Sequence, residues 1–294
     1  MIVVTTPTGN IGSKVVTGLL EAGEAVRVIV RDPAKLTAEV RGKVEVVVGS
    51  SDDEGVLRQA LEGAESLFLL VPPSFVTPDP REQYLSFTRP VIAAMKAKGV
   101  KRVVTVSGMG RNTGMKAGVV TDSFAKDEAL ERAGLDVRAL WCPGFMENTL
   151  RSLPTLKQPG MMFGPSPEEL KVPQVATKDI AATAVRLLID RTWTGPGGVA
   201  VLGPEDLSPN DMAAIVSEVL GKPIAYQRIP YEAYKAQLMK YGASEAMADG
   251  LIEMHVAKDN GLDNKEPRTA ENTTPTSYRQ WCEEVLKPAY ASMG

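Results

Sequence analysis

The sequence has little of the residue types on which disulfide-rich and metal-binding proteins depend. Its 294 residues include two cysteines, Cys142 and Cys282, and a single histidine, His255. Two cysteines cannot form a disulfide framework, and neither has the paired spacing of a zinc site. His255 lies in a charged helical stretch without a second histidine or a carboxylate at ligand spacing. We therefore expect reduced thiols, with Cys142 as a small buried hydrophobe, and no metal site.

Long hydrophobic runs and an excess of charge are also absent. No apolar run reaches the ~18 residues of a membrane span, and the chain opens directly into the apolar stretch Ile2–Thr5 without a basic leader segment. The 33 basic and 36 acidic residues give a net charge of −3, which offers no electrostatic surface for nucleic acid or an anionic membrane. We expect a cytoplasmic protein with neither of these partners.

What is present is a regular alternation of β-branched runs and helical stretches over the first two thirds of the chain. The predicted strands are Ile2–Thr5, Ala25–Val30, Val44–Gly49, Ser66–Leu70, Arg102–Ser107 and Val137–Trp141. The predicted helices are Asn10–Ala22, Asp53–Leu61, Glu82–Lys98 and Ser123–Ala133, several closed by a C-terminal glycine. Strands separated by helices favour a parallel sheet covered on both faces. The predicted fold class is α/β, a Rossmann-type doubly wound parallel sheet.

The regularity ends after Trp141. The stretch Pro154–Pro173, rich in proline, glycine and methionine, predicts a loop or lid. Later elements are predicted as helices at Asp179–Asp190, Pro209–Leu220, Tyr231–Tyr241, Ser244–Asp259 and Pro275–Leu286, strands at Gly198–Leu202 and Ile224–Ile229, and a loop at Asn260–Pro275. We expect a dinucleotide-binding domain of residues 1–150, to which 176–203 return. Residues 151–175 and 204–294 would form a smaller, mainly helical C-terminal substrate lobe.

A glycine-bearing loop joins the first predicted strand to the first helix. After Thr5 it contains the candidate cofactor-binding residues Thr6, Thr8, Gly9, Asn10, Ile11 and Gly12. Strand, tight turn and helix in this order are the context of a dinucleotide-binding fingerprint. Gly9 would let the backbone approach a pyrophosphate, Gly12 would allow close helix packing, and the amides of the helix N-terminus would face the negative charge. A turn without a ligand is the alternative.

The second predicted strand is followed by Arg31, with Lys35 shortly after it. An acidic side chain at this strand end would bind the ribose diol of NAD, whereas a guanidinium can bind a 2′-phosphate through charge-assisted hydrogen bonds. Arg31, with Lys35 as a second cation, therefore favours NADP(H) over NAD(H). The alternative is a solvated surface pair of Arg31 and Asp32.

Several segments occur together in an order typical of one family. They are Thr8–Gly12, Arg31–Lys35, Val100–Val104 leading to Ser107, Pro143–Asn148, Ala176–Ala181 and Thr273–Tyr278. On these segments the chain resembles the NmrA-like branch of the atypical short-chain dehydrogenase/reductase superfamily. That branch includes NADPH-dependent quinone, azo-dye and triphenylmethane-dye reductases and redox-sensing regulators. The resemblance implies a Rossmann domain, a smaller C-terminal domain and a substrate cleft between them.

The resemblance also implies which strand ends border the cofactor. The implied cofactor-binding residues are Leu70, Val71 and Pro72 along the nicotinamide half, Ser107 at the end of the fifth strand, and Pro143, Gly144 and Phe145 closing over the nicotinamide. Two residues depart from the family pattern, since Thr6 replaces the first glycine of the loop and Cys142 stands where an arginine commonly precedes Pro-Gly.

The catalytic pair of the wider superfamily, a tyrosine four residues before a lysine, is missing. The tyrosine position falls near Val119 and the lysine position near Ser123, and Lys126, which could equally be a solvated helix residue, is the nearby cation. A phenol acidified by an ammonium group is the usual proton donor to a carbonyl oxygen. Ordinary alcohol dehydrogenation is therefore disfavoured.

The candidate catalytic residues are Ser107 and Asn148, either of which could supply one hydrogen bond to a substrate. A serine at a strand end also commonly caps or turns the chain. An adaptable apolar wall against a flat aromatic substrate could come from Phe145, Met146, Met161, Met162 and Phe163, although the same residues could pack the two lobes together.

These observations favour an NADPH-dependent reductase that transfers hydride to an electron-poor conjugated acceptor such as a quinone or dye. A non-catalytic NADP(H)-binding redox sensor is the second hypothesis, because loss of the acid pair is what it predicts. The third is an imine, ketone or enone reductase of a biosynthetic pathway, in which activation of the substrate replaces the tyrosine. A homodimer is compatible with any of the three.

Overall fold

The computed structural model describes residues 1–293. Its strands are β1 (Ile2–Val4), β2 (Val26–Val30), β3 (Glu45–Val48), β4 (Ser66–Leu69), β5 (Arg102–Gly108), β6 (Asp136–Cys142), β7 (Gly144–Phe145), β8 (Met161–Gly164), β9 (Val172–Val175), β10 (Gly197–Ala200), β11 (Asp206–Leu207) and β12 (Ala225–Arg228). Within the described range, a sheet of seven strands has the order β10-β6-β5-β4-β1-β2-β3, and all its pairs are parallel. The chain therefore has the predicted Rossmann-type α/β fold.

The α-helices begin and end at the following residues: α1 (Gly12–Glu21), α2 (Ala38–Arg41), α3 (Glu54–Ala60), α4 (Pro80–Lys98), α5 (Val119–Arg132), α6 (Leu153–Lys157), α7 (Thr177–Ile189), α8 (Pro209–Leu220), α9 (Tyr231–Lys240), α10 (Glu245–Asp259), α11 (Tyr278–Trp281) and α12 (Lys287–Ala291). Short 3₁₀ turns lie at Pro33–Lys35, Met146–Ser152 and Leu262–Asn264, and a π-helical turn at Cys282–Leu286 joins α11 to α12. No helix within residues 1–293 is long and apolar enough to cross a lipid bilayer.

Successive residues of the sheet point to two separate cores, because side chains alternate along a strand. On one face, Val4 and Phe68 pack with helices α1 and α7. On the other, Val3 and Leu67 pack with α3, α4 and α5. Burial on both faces explains why these strands contain continuous apolar runs. The result is a rigid central sheet whose carboxyl ends meet at one edge.

A third core lies outside the main sheet. Met146, Met162, Val216 and Trp281 are buried in it, together with Leu156 of α6, Ala176 and residues of the segments after residue 204. Strand β10 pairs with β6 and so extends the main sheet. These contacts agree with a return of the chain after residue 176, while the domain boundaries stay a prediction.

The prediction of a structureless loop or lid at Pro154–Pro173 was wrong. The segment contains α6, β8 and the start of β9, with β8 paired in parallel to β12 and β9 paired to β7 and β11. The strand partners lie far away in the sequence, so local composition could not reveal them. Smaller differences concern helix starts, such as α5, which begins at Val119 and not at Ser123.

Candidate functional site

The predicted phosphate-binding loop lies at the carboxyl edge of the main sheet, between β1 and α1. Thr5 anchors it, because its Oγ1 accepts a hydrogen bond from the amide of Leu70 at 2.9 Å and its amide donates to the carbonyl of Phe68 at 3.1 Å. The loop then closes with a bond from the amide of Gly9 to the carbonyl of Thr6 at 3.1 Å. A Cβ on Gly12 would lie 2.1 Å from that same carbonyl oxygen. Only glycine lets the first turn of α1 pack this closely on the loop.

Thr6 takes the place of the first glycine of the loop in a conformation that glycine adopts easily. Its φ is +50°, in the left-handed region that a β-branched residue rarely enters. Its Oγ1 is buried and finds no hydrogen-bond partner anywhere in residues 1–293. A strained residue with an unpaired buried hydroxyl is costly for a structural turn. The pair of observations fits a loop completed by a polar ligand, and thereby the group that the fingerprint implies.

The backbone amides at the N-terminus of α1 also lack a side-chain cap and can donate to an external hydrogen-bond acceptor. Its N-cap is Ile11, which supplies no side-chain cap, and the described first turn contains no acidic side chain. The unpaired amides and the helix dipole together favour an anion at this point. Asn10 and Ile11, predicted to face a pyrophosphate, lie at this helix N-terminus.

Two cations follow β2, the strand that pairs with β1. Arg31 and Lys35 are exposed, and neither side chain forms an ion pair or hydrogen bond with another residue of the described chain. Asp32 does not pair with Arg31, since its Oδ1 accepts the amide of Ala34 at 3.0 Å and caps the short helix Pro33–Lys35. The alternative of a surface pair is thus not what the structure contains. Both cations remain available for a 2′-phosphate.

The segments predicted to border the nicotinamide follow neighbouring strands. Leu70, Val71 and Pro72 follow β4, and Val71 is buried. Pro143 is buried after β6, and Gly144 and Phe145 form the short strand β7, which pairs with β9. Parallel strands end at a common edge, so the fold brings these segments to the same side of the sheet as the phosphate-binding loop.

Ser107 lies at the same edge and belongs to a buried polar network that the sequence did not reveal. Its Oγ donates to Oδ2 of Asp127 at 2.5 Å. The other carboxylate oxygen forms an ion pair with Lys126, whose Nζ donates to Oγ1 of Thr105 at 2.7 Å. Lys126 and Asp127 are 1% and 0% exposed. The interpretation of Lys126 as a solvated helix residue was wrong, because this side of α5 packs on β5.

A sequence signal for this network did exist. Thr105 and Ser107 are two residues apart on one strand and therefore point to the same face of the sheet. Lys126 lies one helical turn beyond Ser123, and so on the same side of α5. The two patterns together could have suggested a lysine beneath Ser107, but only packing shows that its partner is Asp127.

Val119, near which the sequence analysis places the tyrosine position, begins α5. Helix α10 crosses directly over the start of α5, where a Cβ on Gly118 would lie 2.0 Å from the carbonyl oxygen of Gly250. A Cβ on Gly250 would in turn lie 2.8 Å from Cγ1 of Val119. Glycine at positions 118 and 250 therefore lets α10 pack closely on the start of α5, beside Val119.

The remaining candidates have simple positions. Asn148 is exposed on the 3₁₀ turn that follows Phe145. In the proposed apolar wall, Met146 and Met162 are buried in the third core, whereas Phe163 is 38% exposed. The wall is thus at least partly packing between elements.

Cys142 and His255 have the features of packed side chains. Burial raises the pKa of the Cys142 thiol, which disfavours a reactive thiolate. Burial, aided by the charge of Lys258, lowers the pKa of His255 to about 4. The His255 ring lies edge-on to Tyr234 at 5.3 Å. No cluster of metal ligands occurs among residues 1–293.

Comparison with known proteins gives matches over most of the chain. The chain is 34% identical over 245 residues to a (4-alkanoyl-5-oxo-2,5-dihydrofuran-3-yl)methyl phosphate reductase of Streptomyces griseus. The match covers 81% of this chain and 80% of the relative. The chain is 29% identical to an NAD(P)H azoreductase of Xenophilus azovorans, over 87% and 86% of the two chains. The crystal structure of an NADPH-dependent quinone oxidoreductase from Escherichia coli superposes with a TM-score of 0.77 at 25% identity, covering 97% and 100%.

The sequence model of the NmrA-like family matches residues 1–284, nearly the whole chain. The Rossmann-type fold agrees with that match. The chain therefore belongs to the NmrA-like family.

Proposed function

We propose that this protein is an NADPH-dependent reductase of small electron-poor conjugated molecules such as quinones and azo dyes. The observation that carries the proposal is the combination of an unpaired buried Thr6 hydroxyl with two unpaired cations, Arg31 and Lys35, along one edge of a Rossmann sheet. The azoreductase and quinone oxidoreductase relatives, both named for nicotinamide cofactors, support the reaction class. NADPH, when bound, supplies the hydride.

The residues of the chain would hold the cofactor in three places. The amides of Asn10 and Ile11 bind the pyrophosphate, and Gly9 and Gly12 keep the backbone close enough for that contact. Arg31 and Lys35 bind the 2′-phosphate, which is the feature that separates NADP(H) from NAD(H). The residues following β4 and β6 cover the nicotinamide and exclude water from it.

The chain offers little acid catalysis at the reacting end. Val119 has no proton to give, and the Ser107 hydroxyl already donates its proton to Asp127. An electron-poor acceptor accommodates the transferred electron pair in its own conjugated system, so position and exclusion of water are the main requirements. This matches quinone and dye acceptors better than unactivated ketones.

A second candidate is reduction of an enone within a lactone. It is favoured by the Streptomyces griseus relative, which is named for a conjugated furanone phosphate and is 34% identical over 81% of this chain. Such a substrate is again activated by its own conjugation. A purely sensory role is less well supported, because the relative at 34% identity, the azoreductase and the quinone oxidoreductase are each named for a reduction or oxidation reaction.

The test is steady-state oxidation of NADPH with matched acceptors. The panel contains a naphthoquinone, an azo dye, a neutral alkylidene butenolide, a butenolide phosphate and a secondary ketone. We expect turnover with the conjugated acceptors and none with the ketone, and preference within the panel separates the two candidates. Multiple turnovers of the ketone alone, or no NADPH oxidation with any acceptor, would contradict the proposal.

A further inference from the structure

The buried pair Lys126 and Asp127 needs an explanation beyond stability. Both side chains are almost completely buried beneath β5. Two charges lose their hydration on burial, and a buried ion pair is commonly no more stabilising than apolar side chains of similar volume. The apolar residues around it, such as Leu130 and Val103, show that this face of the sheet can be packed without charge.

The pair fixes the direction of one hydroxyl. Lys126 bonds one oxygen of the Asp127 carboxylate, so the other oxygen is the one that accepts from Ser107 at 2.5 Å. A carboxylate without a proton only accepts hydrogen bonds. The Ser107 proton is thereby committed to Asp127, and what the hydroxyl can offer to the cleft is its lone pairs.

We propose that Asp127, held by Lys126, is a positioning residue that makes Ser107 a hydrogen-bond acceptor for the carboxamide N–H of a bound nicotinamide. This rests on the proposed function. Ser107 then helps to choose the face of the nicotinamide ring that is presented to the acceptor, and it does not donate a proton to the substrate. This proposal replaces the hypothesis that Ser107 supplies a hydrogen bond to the substrate.

The experiment compares two nucleotides that differ in one donor. Affinities of NADPH and of its reduced acetylpyridine analogue, in which a methyl group replaces the carboxamide –NH₂, are measured by fluorescence titration. We expect the wild-type protein to prefer NADPH by about three- to tenfold, the range for one neutral hydrogen bond. Ser107→Ala should lose that preference through weaker NADPH binding, with the analogue unchanged. Ser107→Thr keeps the hydroxyl and should keep the preference.

The role of Asp127 is tested in the same titrations. Asp127→Asn, and the double variant Lys126→Met/Asp127→Asn that leaves no unpaired buried charge, should lose the preference because an amide can donate to Ser107 and turn its proton toward the cleft. Thr88→Val, a buried change on α4 whose hydroxyl bonds the Tyr84 carbonyl, controls for lost stability and should keep the preference.

Three results overturn the proposal. The first is an equal loss of affinity for both nucleotides in Ser107→Ala. The second is a preference for NADPH over the analogue that survives in both Asp127 variants. The third is no preference in the wild-type protein. If the wild-type protein binds neither nucleotide, the proposed function fails together with the inference, whereas the first three results leave cofactor binding intact.

Discussion

The two ends of the predicted cofactor site differ in how their polar groups are satisfied. At the predicted phosphate-binding end, the Thr6 hydroxyl and the side chains of Arg31 and Lys35 have no partner among residues 1–293. At the opposite end, Ser107 and Asp127 complete each other within a buried network. Polar groups without a hydrogen-bond partner favour binding of a charged ligand, whereas polar groups that are already paired fix the positions of the side chains that carry them. Affinity is thus expected at one end, and positioning without acid catalysis at the other.

The largest effect is expected from Gly12→Ala, at the predicted phosphate-binding end. Gly12→Ala places a Cβ 2.1 Å from the Thr6 carbonyl oxygen, and backbone cannot move aside as a flexible side chain can. We expect a loss of roughly 1–3 kcal/mol of stability from overpacking, and NADPH affinity lowered by more than about tenfold. Thermal unfolding and fluorescence titration measure the two effects.

Gly42→Ala is the matched control for that change. A Cβ there would lie 3.5 Å from its nearest neighbour, an ordinary contact at the end of α2. It should leave both quantities nearly unchanged. Tight NADPH binding by Gly12→Ala would show that the close packing of α1 on the loop is not needed for the site.

Arg31→Ala tests the charge at the open end. A charged hydrogen bond contributes about 1.5–3 kcal/mol, so NADPH affinity should fall by roughly tenfold or more. NADH affinity should not change, because NADH lacks the 2′-phosphate. Arg132→Ala, an exposed arginine at the far end of α5, is the control. An equal loss for both nucleotides would mean that Arg31 acts on the loop and not on the phosphate.

Thr6→Val removes the unpaired hydroxyl while keeping the shape of the side chain, and so tests whether that hydroxyl serves a ligand. The protein without nucleotide should become more stable by up to about 1–3 kcal/mol, since the penalty of an unsatisfied buried group is removed. NADPH affinity should fall at the same time. Thr6→Ser retains the hydroxyl and should retain affinity. Opposite changes in stability and affinity, measured by urea unfolding and titration, are the signature of a group kept for a ligand.

The smallest effect concerns His255, which lies partly buried in α10. The folded protein keeps His255 neutral down to about pH 4, whereas the unfolded chain takes up its proton near 6.5. Protonation therefore favours unfolding as the pH falls between these values, and stability should drop by about 1–2 kcal/mol from pH 7 to pH 5. In His255→Gln, the free energy of unfolding measured with urea should fall less steeply between pH 7 and pH 5. An unchanged slope would mean that the ring is hydrated in the folded protein.

Single residues show which features could be predicted from the sequence and which could not. Gly12 and Arg31 were assigned from order along the chain, because a strand, a glycine-bearing turn and a helix are local features. The sequence left Lys126 open between a solvated and a buried position, because helical spacing shows that it shares a side of α5 with Ser123, but only packing shows that this side faces β5. The segment Pro154–Pro173 was missed for a related reason, as its strands pair with residues far away in the chain.

By itself the sequence determined the α/β class, and it predicted the phosphate-binding loop and the loss of the usual tyrosine. Each depends on local periodicity or on one residue type at one position. The tertiary structure alone decided that α10 closes over Val119, and that Lys126 and Asp127 are buried under Ser107. Burial and hydrogen-bond partners are properties of surfaces brought together from distant parts of the chain, and those become defined only when the chain has folded.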